Sequence, residues 1–376
     1  MKYSFALIIF SFLIYSFNCS FQSQIFNQMN KGKKGKNLII SPLSIFQVLS
    51  LTANGAKKQT RAQMLKVLQY DRIEKLNQMN KQLIEIIKGF STVDIANAVF
   101  TRFTPLKSFV AITKKYSAPV EPLISEKQVN NWVSNKTHGK ITKIIDELTS
   151  DIVMILINAV YFKGEWVLQF KKEYTKPLPF YNLGKEEIKV DTMEQTSRFL
   201  YYEDKNVQAI SLKFKEDYMS AIIILPAEGI DINTYISTLD DSEQEYNKIN
   251  AGLKTAKVHL QLPKFEVNFS EELNQVLKDL GMIDAFNPPI ADFTGLYKKG
   301  GLYISKVLHK TYLKVNEEGT EAAAVTAVVV SKSMKKPVQE QIYEMKVNRP
   351  FLFFLKNDKL ASGHDLLFMS KIEKFE

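Results

Sequence analysis

The chain has 376 residues, 45% hydrophobic and 24% charged, with 15 Gly, 12 Pro and a single Cys. That composition excludes collagen, coiled coil and disorder, and one thiol excludes an intrachain disulfide or a multi-cysteine metal site. The net charge of +10 allows an acidic partner without demanding one, and at about 150 residues per domain the length suggests two domains or one large one.

At the N-terminus Lys2 precedes an apolar run from Phe5 to Phe17, interrupted only by Ser11 and Ser16. This is the pattern of a secretory signal peptide, and it falls short of the ~20 apolar residues of a membrane helix. Ser16, Cys19 and Ser20 each offer a small residue for cleavage. We divide the chain into a signal segment, 1–19, and a folded domain, 20–376, and expect a secreted, extracellular protein. The C-terminal Lys374-Phe375-Glu376 is not an ER-retention signal.

Lys31, Lys33, Lys34 and Lys36, spaced by Gly32 and Gly35, form the densest charge run. It reads either as a solvated turn between the first helix and first strand or as a contact for a polyanion such as a glycosaminoglycan. No aromatic residues interleave with the lysines, so single-stranded nucleic acid is not expected. Pro42 to Asn54 predicts a helix with Leu43, Phe46, Leu49 and Ser50 on one face, stopped at Asn54-Gly55. Arg72 to Lys88 repeats Ile73, Leu76, Leu83 and Ile87 at helical spacing. Asn135-Lys136-Thr137 and Asn268-Phe269-Ser270 are glycosylation sequons.

Beyond residue 150 strands dominate. Asp151–Ile157 and Ala221–Leu225 are continuous apolar runs, as in strands buried on both faces. Val258 to Phe269 alternates and predicts one long strand. Ser270 then reads as an N-cap, with Glu271 and Glu272 at the positive end of a helix. Its stripe is Leu273, Val276, Leu277 and Leu280, and Gly281 ends it. Helices among non-adjacent strands, without a regular βαβ period, indicate an α+β fold.

The chemistry of an enzyme is missing. His138, His259, His309 and His364 are the only histidines, and none has metal-site spacing; no nucleophile elbow or phosphate-cradling glycine loop occurs. Ser362-Gly363-His364-Asp365 contains triad residue types, but members so close in an extended chain cannot converge, and a turn is expected. We therefore expect no catalytic residues, metal or cofactor.

Residues 317–336 do not read like core. Ala322 to Val330 is uncharged, small and β-branched, and too short to span a membrane. At period two, Thr320, Ala322, Ala324, Thr326, Val328 and Val330 share one face and could be buried without bulk or charge. Glu321, Ala323, Val325, Ala327, Val329 and Ser331 share the other. Gly319 supplies a pivot before them. The run from Val315 through Glu317-Glu318-Gly319-Thr320-Glu321 to Ala324 resembles the proximal hinge of the serpins, the serine protease inhibitor family. Further motifs resemble that family in order: Asn37–Ser44, Asn130–Val133 with Thr137–Ile141, Asn158–Trp166, Leu262–Phe265, Gly281–Phe286 and Asn348–Phe354. The resemblance spans nearly the whole mature chain.

It implies one α+β domain of three sheets and about nine helices, a monomer, with an exposed reactive-centre loop at about 317–343. A target serine or cysteine endopeptidase would attack that loop and form an acyl-enzyme. The cleaved loop would then insert as a new strand in the main sheet. The hinge residues would be Glu317, Glu318, Gly319, Thr320, Ala322, Ala323, Ala324 and Thr326. About sixteen residues at ~3.3 Å each would carry the protease roughly 50 Å. Ten to fifteen new hydrogen bonds at ~1 kcal/mol each would drive it, so the uncleaved form would be kinetically trapped. By the same resemblance Ser41, Ser44, Asn158 and His309 belong to a polar shutter under the sheet, Trp166 to the breach at its top, and Lys264 pairs with Glu317. Counting from Gly319 places the scissile bond at Ser333-Met334; a hinge one residue shorter gives Lys332-Ser333, and Lys335-Lys336 is a third register. Ser370 stands where the family usually has glycine. Small, uncharged inserting positions favour an inhibitor over the alternative, a non-inhibitory carrier, chaperone or storage serpin.

Overall fold

Residues 20–216, 218–240, 244–320 and 340–376 are described by a computed structural model. The first third is mostly helical: α1 (Phe21–Asn30), β1 (Leu38–Ile40), α2 (Pro42–Gly55), α3 (Lys58–Val67), α4 (Ile73–Ile87), β2 (Val93–Thr101), α5 (Lys107–Tyr116), β3 (Val120–Pro122) and α6 (Glu126–Lys136). Then come β4 (Met154–Phe162), β5 (Gly164–Glu165), β6 (Lys176–Asn182), β7 (Glu186–Glu203), β8 (Val207–Lys213) and β9 (Met219–Pro226). After α7 (Ile232–Asp240) and α8 (Gln244–Gly252) follow β10 (Lys254–Pro263), β11 (Phe265–Glu272), α9 (Asn274–Asp279), β12 (Lys306–Val315) and β13 (Gly319–Thr320). The chain ends in β14 (Ile342–Lys346), β15 (Phe351–Asn357) and β16 (Leu366–Ile372). The signal segment, the loop residues 321–339 and all three candidate scissile bonds lie outside the described residues.

The described residues thus form nine α-helices and three sheets, the α+β architecture expected. One sheet runs β1-β16-β15-β9-β8-β7-β10-β14 with β6 added on β7; a second runs β11-β12-β4-β2-β3; a third is the pair β13-β5. Helix α2 is buried along its whole length and packs against β16 on one side and β2 and β4 on the other. Pro42 begins it at a position where no amide donor is needed. Its buried Ser50, Thr52 and Asn54 side chains donate to the carbonyls of Phe46, Val48 and Ser50, one turn back, so the helix stays dry without orphaned polar groups.

All nine residues of β4 are buried. Met154, Leu156, Val160 and Phe162 join the main core with α2, while Ile155, Ile157, Ala159 and Tyr161 pack in a second cluster with Val129 and Val133 of α6. The apolar run is therefore a doubly covered strand, starting three residues later than expected.

Two expectations need correction. The alternation from Val258 to Phe269 is two strands in different sheets. Strand β10 ends at Pro263 opposite Thr192 of β7, and β11 starts with Phe265 opposite Val315 of β12. Lys264 is the crossover, its N–H donating to Asp191 O (2.8 Å). Ser270 is not a helix cap: it lies in β11 opposite Lys310. Strand pairing outcompetes the cap until Leu273, whose N–H donates to Val307 O (2.8 Å), and Asn274 Oδ1 accepts from the Val307 N–H (2.9 Å). Gly281 does end the helix, at φ +109°.

Candidate functional site

The five-stranded sheet alternates irregularly. Its β11–β12 and β4–β2 neighbours are antiparallel, but β12 and β4 at its centre run parallel, in register from Lys306–Ile155 to Tyr312–Tyr161. A strand running opposite to both would fit this junction and make every neighbour on that side antiparallel.

Above the junction the chain leaving β12 turns back. Asn316 Oδ1 accepts from the N–H groups of Glu318 and Gly319 (3.1 Å each), and Asn316 N–H donates to Gly319 O (2.9 Å). Strand β13 then pairs antiparallel with β5, Gly319 opposite Glu165 and Thr320 opposite Gly164. At φ +149°, a Cβ on Gly319 would lie 2.0 Å from Gly164 O, so only glycine fits there. Thr320 is fully buried, its Oγ1 accepting the Gly164 N–H at 2.8 Å.

The segment after β5 clasps this turn through the backbone. Trp166 N–H donates to Glu318 O and Phe170 N–H to Glu317 O, both at 2.9 Å. The indole, fully buried and stacked on Phe214 at 4.2 Å, donates Nε1–H to Asn316 O (3.0 Å). Glu317 is buried, and its Oε1 meets Lys264 Nζ at 3.1 Å and the Thr175 hydroxyl at 2.8 Å. Burial pushes its carboxyl pKa up, but its backbone hydrogen bond, Thr175 and Lys264 outweigh that and hold it below the usual range. Glu318 reaches the exposed Lys172 at 2.8 Å.

Lower down, the register lines up Asn97, Asn158 and His309 on β2, β4 and β12. Asn158 Nδ2 donates to Asn97 Oδ1 (2.6 Å) and to Ser44 Oγ of α2; Ser44 Oγ also donates to Asn97 Oδ1 (3.1 Å). The Ser41 backbone N–H donates to His309 Nε2 (3.3 Å). That fixes the proton on Nδ1, which donates to Asn158 Oδ1 at 2.5 Å. Complete burial lowers the His309 pKa to about 3, so the ring is neutral. The Ser41 hydroxyl is buried without a partner among the described residues.

Ser44, Asn158 and His309 are thus brought together, Ser41 reaches them only through its backbone, and Trp166, Lys264 and Glu317 meet at the turn between β12 and β13. Asn97 is missed in the sequence reading, which takes in Asn316 only as part of the hinge motif. A lone asparagine inside the apolar run Ile95–Phe100 is the available signal for Asn97. Ala322, Ala323, Ala324 and Thr326 lie outside the described residues. Asn135 on α6 and Asn268 on β11 are exposed. The lysine run is a turn between α1 and β1, with Lys33 paired to Glu271 (2.5 Å) and Lys34 to Asp231 (3.5 Å). Residues 362–364 form a turn between β15 and β16. His364 is half-buried against Phe46, and its Nε2 lies 3.2 Å from the Tyr70 hydroxyl.

The sequence model of one protein family, described as Serpin (serine protease inhibitor), matches residues 16–374. The leukocyte elastase inhibitor of Xenopus tropicalis is 31% identical over 362 residues, covering 91% of this chain and 95% of that protein. Among solved structures, the thermophilic serpin tengpin in its native state aligns with TM-score 0.85 and 33% identity over 95% of this chain and 93% of its own. Native protease nexin-1 with heparin aligns with TM-score 0.83 and 26% identity, over 95% and 98%.

Proposed function

The chain belongs to the serpin family, and on that premise we propose that it is an inhibitory member that traps a serine endopeptidase as a suicide substrate. The protease's serine oxygen attacks the scissile carbonyl, the peptide C–N bond breaks, and the new amino terminus leaves with the proton relayed by the protease's histidine. The loop stays on the enzyme as an ester. Insertion between β4 and β12 then pulls the acyl-enzyme away before water can hydrolyse it.

The observation that carries this reading is the central parallel junction, with β13 already paired at its upper end. Extending the Thr320–Gly164 register would set Ala322 opposite Phe162, Ala324 opposite Val160 and Thr326 opposite Asn158. Opposite residues of an antiparallel pair share a face, and this one is the α2 side, where Phe162 and Val160 are in the core. Glu321 would fall opposite Lys163, which is exposed. The small, uncharged parity is the one that meets the core.

We place the scissile bond at Ser333-Met334, with Lys332-Ser333 as the other register. Incubation with trypsin-, chymotrypsin- and elastase-like proteases should give a complex stable in SDS, and mass spectrometry of the released peptide should find Met334 or Ser333 at its N-terminus. Cleaved loop with fully active protease from all three enzymes would instead mark a non-inhibitory serpin. Residues 1–19 support secretion: expression in a secretory cell should yield medium protein that begins near Ser20, and retention of an uncleaved chain in the cytosol would rule it out. A polyanion is left out of the proposal, because two of the four clustered lysines already have carboxylate partners.

A further inference from the structure

Between α4 and α5, apart from the hinge and shutter, lies a cavity of about 670 Å³, within the ~300–1,000 Å³ usual for small-ligand sites. Its wall is apolar, made by Ile84, Ile112 and the ring of Tyr116, with Ile84 6% and Tyr116 7% exposed. The polar groups on that wall are already engaged. The Tyr116 hydroxyl donates to Asn77 Oδ1 at 2.6 Å, and Asn77 Nδ2 donates to Asn54 Oδ1 at 2.9 Å. A ligand entering here therefore meets hydrocarbon.

The rim carries both signs, Glu74 and Glu85 against Lys81, Lys88 and Lys115, with a surplus of lysine. Lys81 leans on Glu85 at 3.9 Å, while Lys88 and Lys115 are exposed and have no carboxylate partner among the described residues. Ammonium groups on flexible stems beside an apolar wall suit a molecule with one anionic end and a hydrocarbon body. A sulfated polysaccharide would use the lysines and waste the wall; an uncharged lipid would do the reverse.

We propose that this cavity binds a free long-chain fatty acid, its carboxylate held by Lys88 and Lys115 and its chain laid along Ile84, Ile112 and Tyr116. Binding is independent of the inhibitory reading, because it is measured without protease. The probe is 11-dansylaminoundecanoic acid, titrated by fluorescence into the full mature chain and displaced by oleate. Saturable one-to-one binding is expected, displaced by oleate but not by oleyl alcohol. The double variant Lys88→Glu/Lys115→Glu should weaken it roughly tenfold. Ile112→Trp, which fills the cavity from its half-buried wall, should abolish it; unchanged thermal midpoints establish that both variants fold. Absence of saturable binding, equal binding by both variants, or displacement as effective by oleyl alcohol or dextran sulfate would overturn the assignment.

Discussion

Thr320→Arg probes the insertion step most directly. Thr320 is fully buried beside Gly164, where an added Cβ on Gly164 would already meet Phe214 at 2.9 Å and Phe162 at 3.0 Å. A guanidinium in that space would be a buried charge facing aromatic rings, which costs about 3–5 kcal/mol when no partner compensates it. Before cleavage the two-residue pairing of β13 can come apart and leave the arginine in water. Insertion cannot avoid it, because position 320 enters first. With each ~1.4 kcal/mol worth a factor of ten in rate, insertion slows by roughly two to four orders of magnitude, and deacylation wins. The readouts are the moles of protein consumed per mole of protease inhibited and the yield of SDS-stable complex. Thr320→Arg should behave as a substrate, while Glu321→Gln, on the opposite parity, should inhibit like the parent. A Thr320→Arg chain that traps protease one to one, or a Glu321→Gln chain that fails equally, would refute the parity reasoning.

Acid should destabilise the fold through buried His309 and half-buried His364. Burial holds His309 at about 3 and His364 at about 4, below the ~6.5 of an unfolded chain. Their contribution is complete above that value and is lost as pH falls through the window, because the unfolded state binds the protons first. Asp365, raised by burial, works in the opposite direction. The thermal midpoint should fall between pH 7 and 4, and His309→Gln should flatten that slope; an unchanged slope would contradict the neutral, buried ring. Ser370 is fully buried, its hydroxyl without a partner among the described residues. Ser370→Ala should stabilise by about 1 kcal/mol, a rise in midpoint of roughly 1–2 °C for a chain this long, and a fall would show that the hydroxyl is satisfied. Lys264→Ala removes a partner of buried Glu317, and because Lys264 is 34% exposed the loss should be only about 1 kcal/mol. It should shorten the half-life of inhibitory activity on storage without protease, whereas an unaltered half-life would exclude the pair from holding the hinge.

What could be read from the chain depended on how local each cause is. Gly319 and Thr320 were legible because small residues at period two leave few other uses, and because Pro42, Asn54-Gly55 and Gly281 punctuate their helices through backbone preferences of their own. The break at Lys264 was not legible, since alternation continues from Val258 to Phe269 while the partner strand changes from β7 to β12. Ser270 carried a sound cap signal that a non-local ladder overrode. Asn97 needed its neighbours: only when β2 is set beside β4 does an asparagine in an apolar strand become the acceptor that joins Ser44 and Asn158. The buried pairing of Glu317 with Lys264 came from the resemblance alone, as the two are far apart in sequence.

The central junction also revises the energetics of insertion. Ten to fifteen new hydrogen bonds at ~1 kcal/mol each suggest about 10 kcal/mol, but β4 and β12 already pair over the residues 155–161 and 306–312. Those bonds must be lost before the loop can replace them with two antiparallel ladders, so the net hydrogen-bond gain drops to roughly half. Burial of Ala322, Ala324, Val328 and Val330 against the core must supply much of the remainder at ~25 cal/mol per Å². The barrier is different in kind. It contains the parallel ladder together with the His309–Asn158 bond across it, both broken before anything is regained, while Ser44 and Asn97 hold Asn158 in place on the β4 side. Under this mechanism that crossing governs speed and the loop governs the end point. Asn158→Ala should then quicken spontaneous insertion and protease trapping together, measured as a shorter storage half-life and a faster inhibition rate in the same preparation. Acceleration of one without the other would mean that the two insertions do not cross the same barrier.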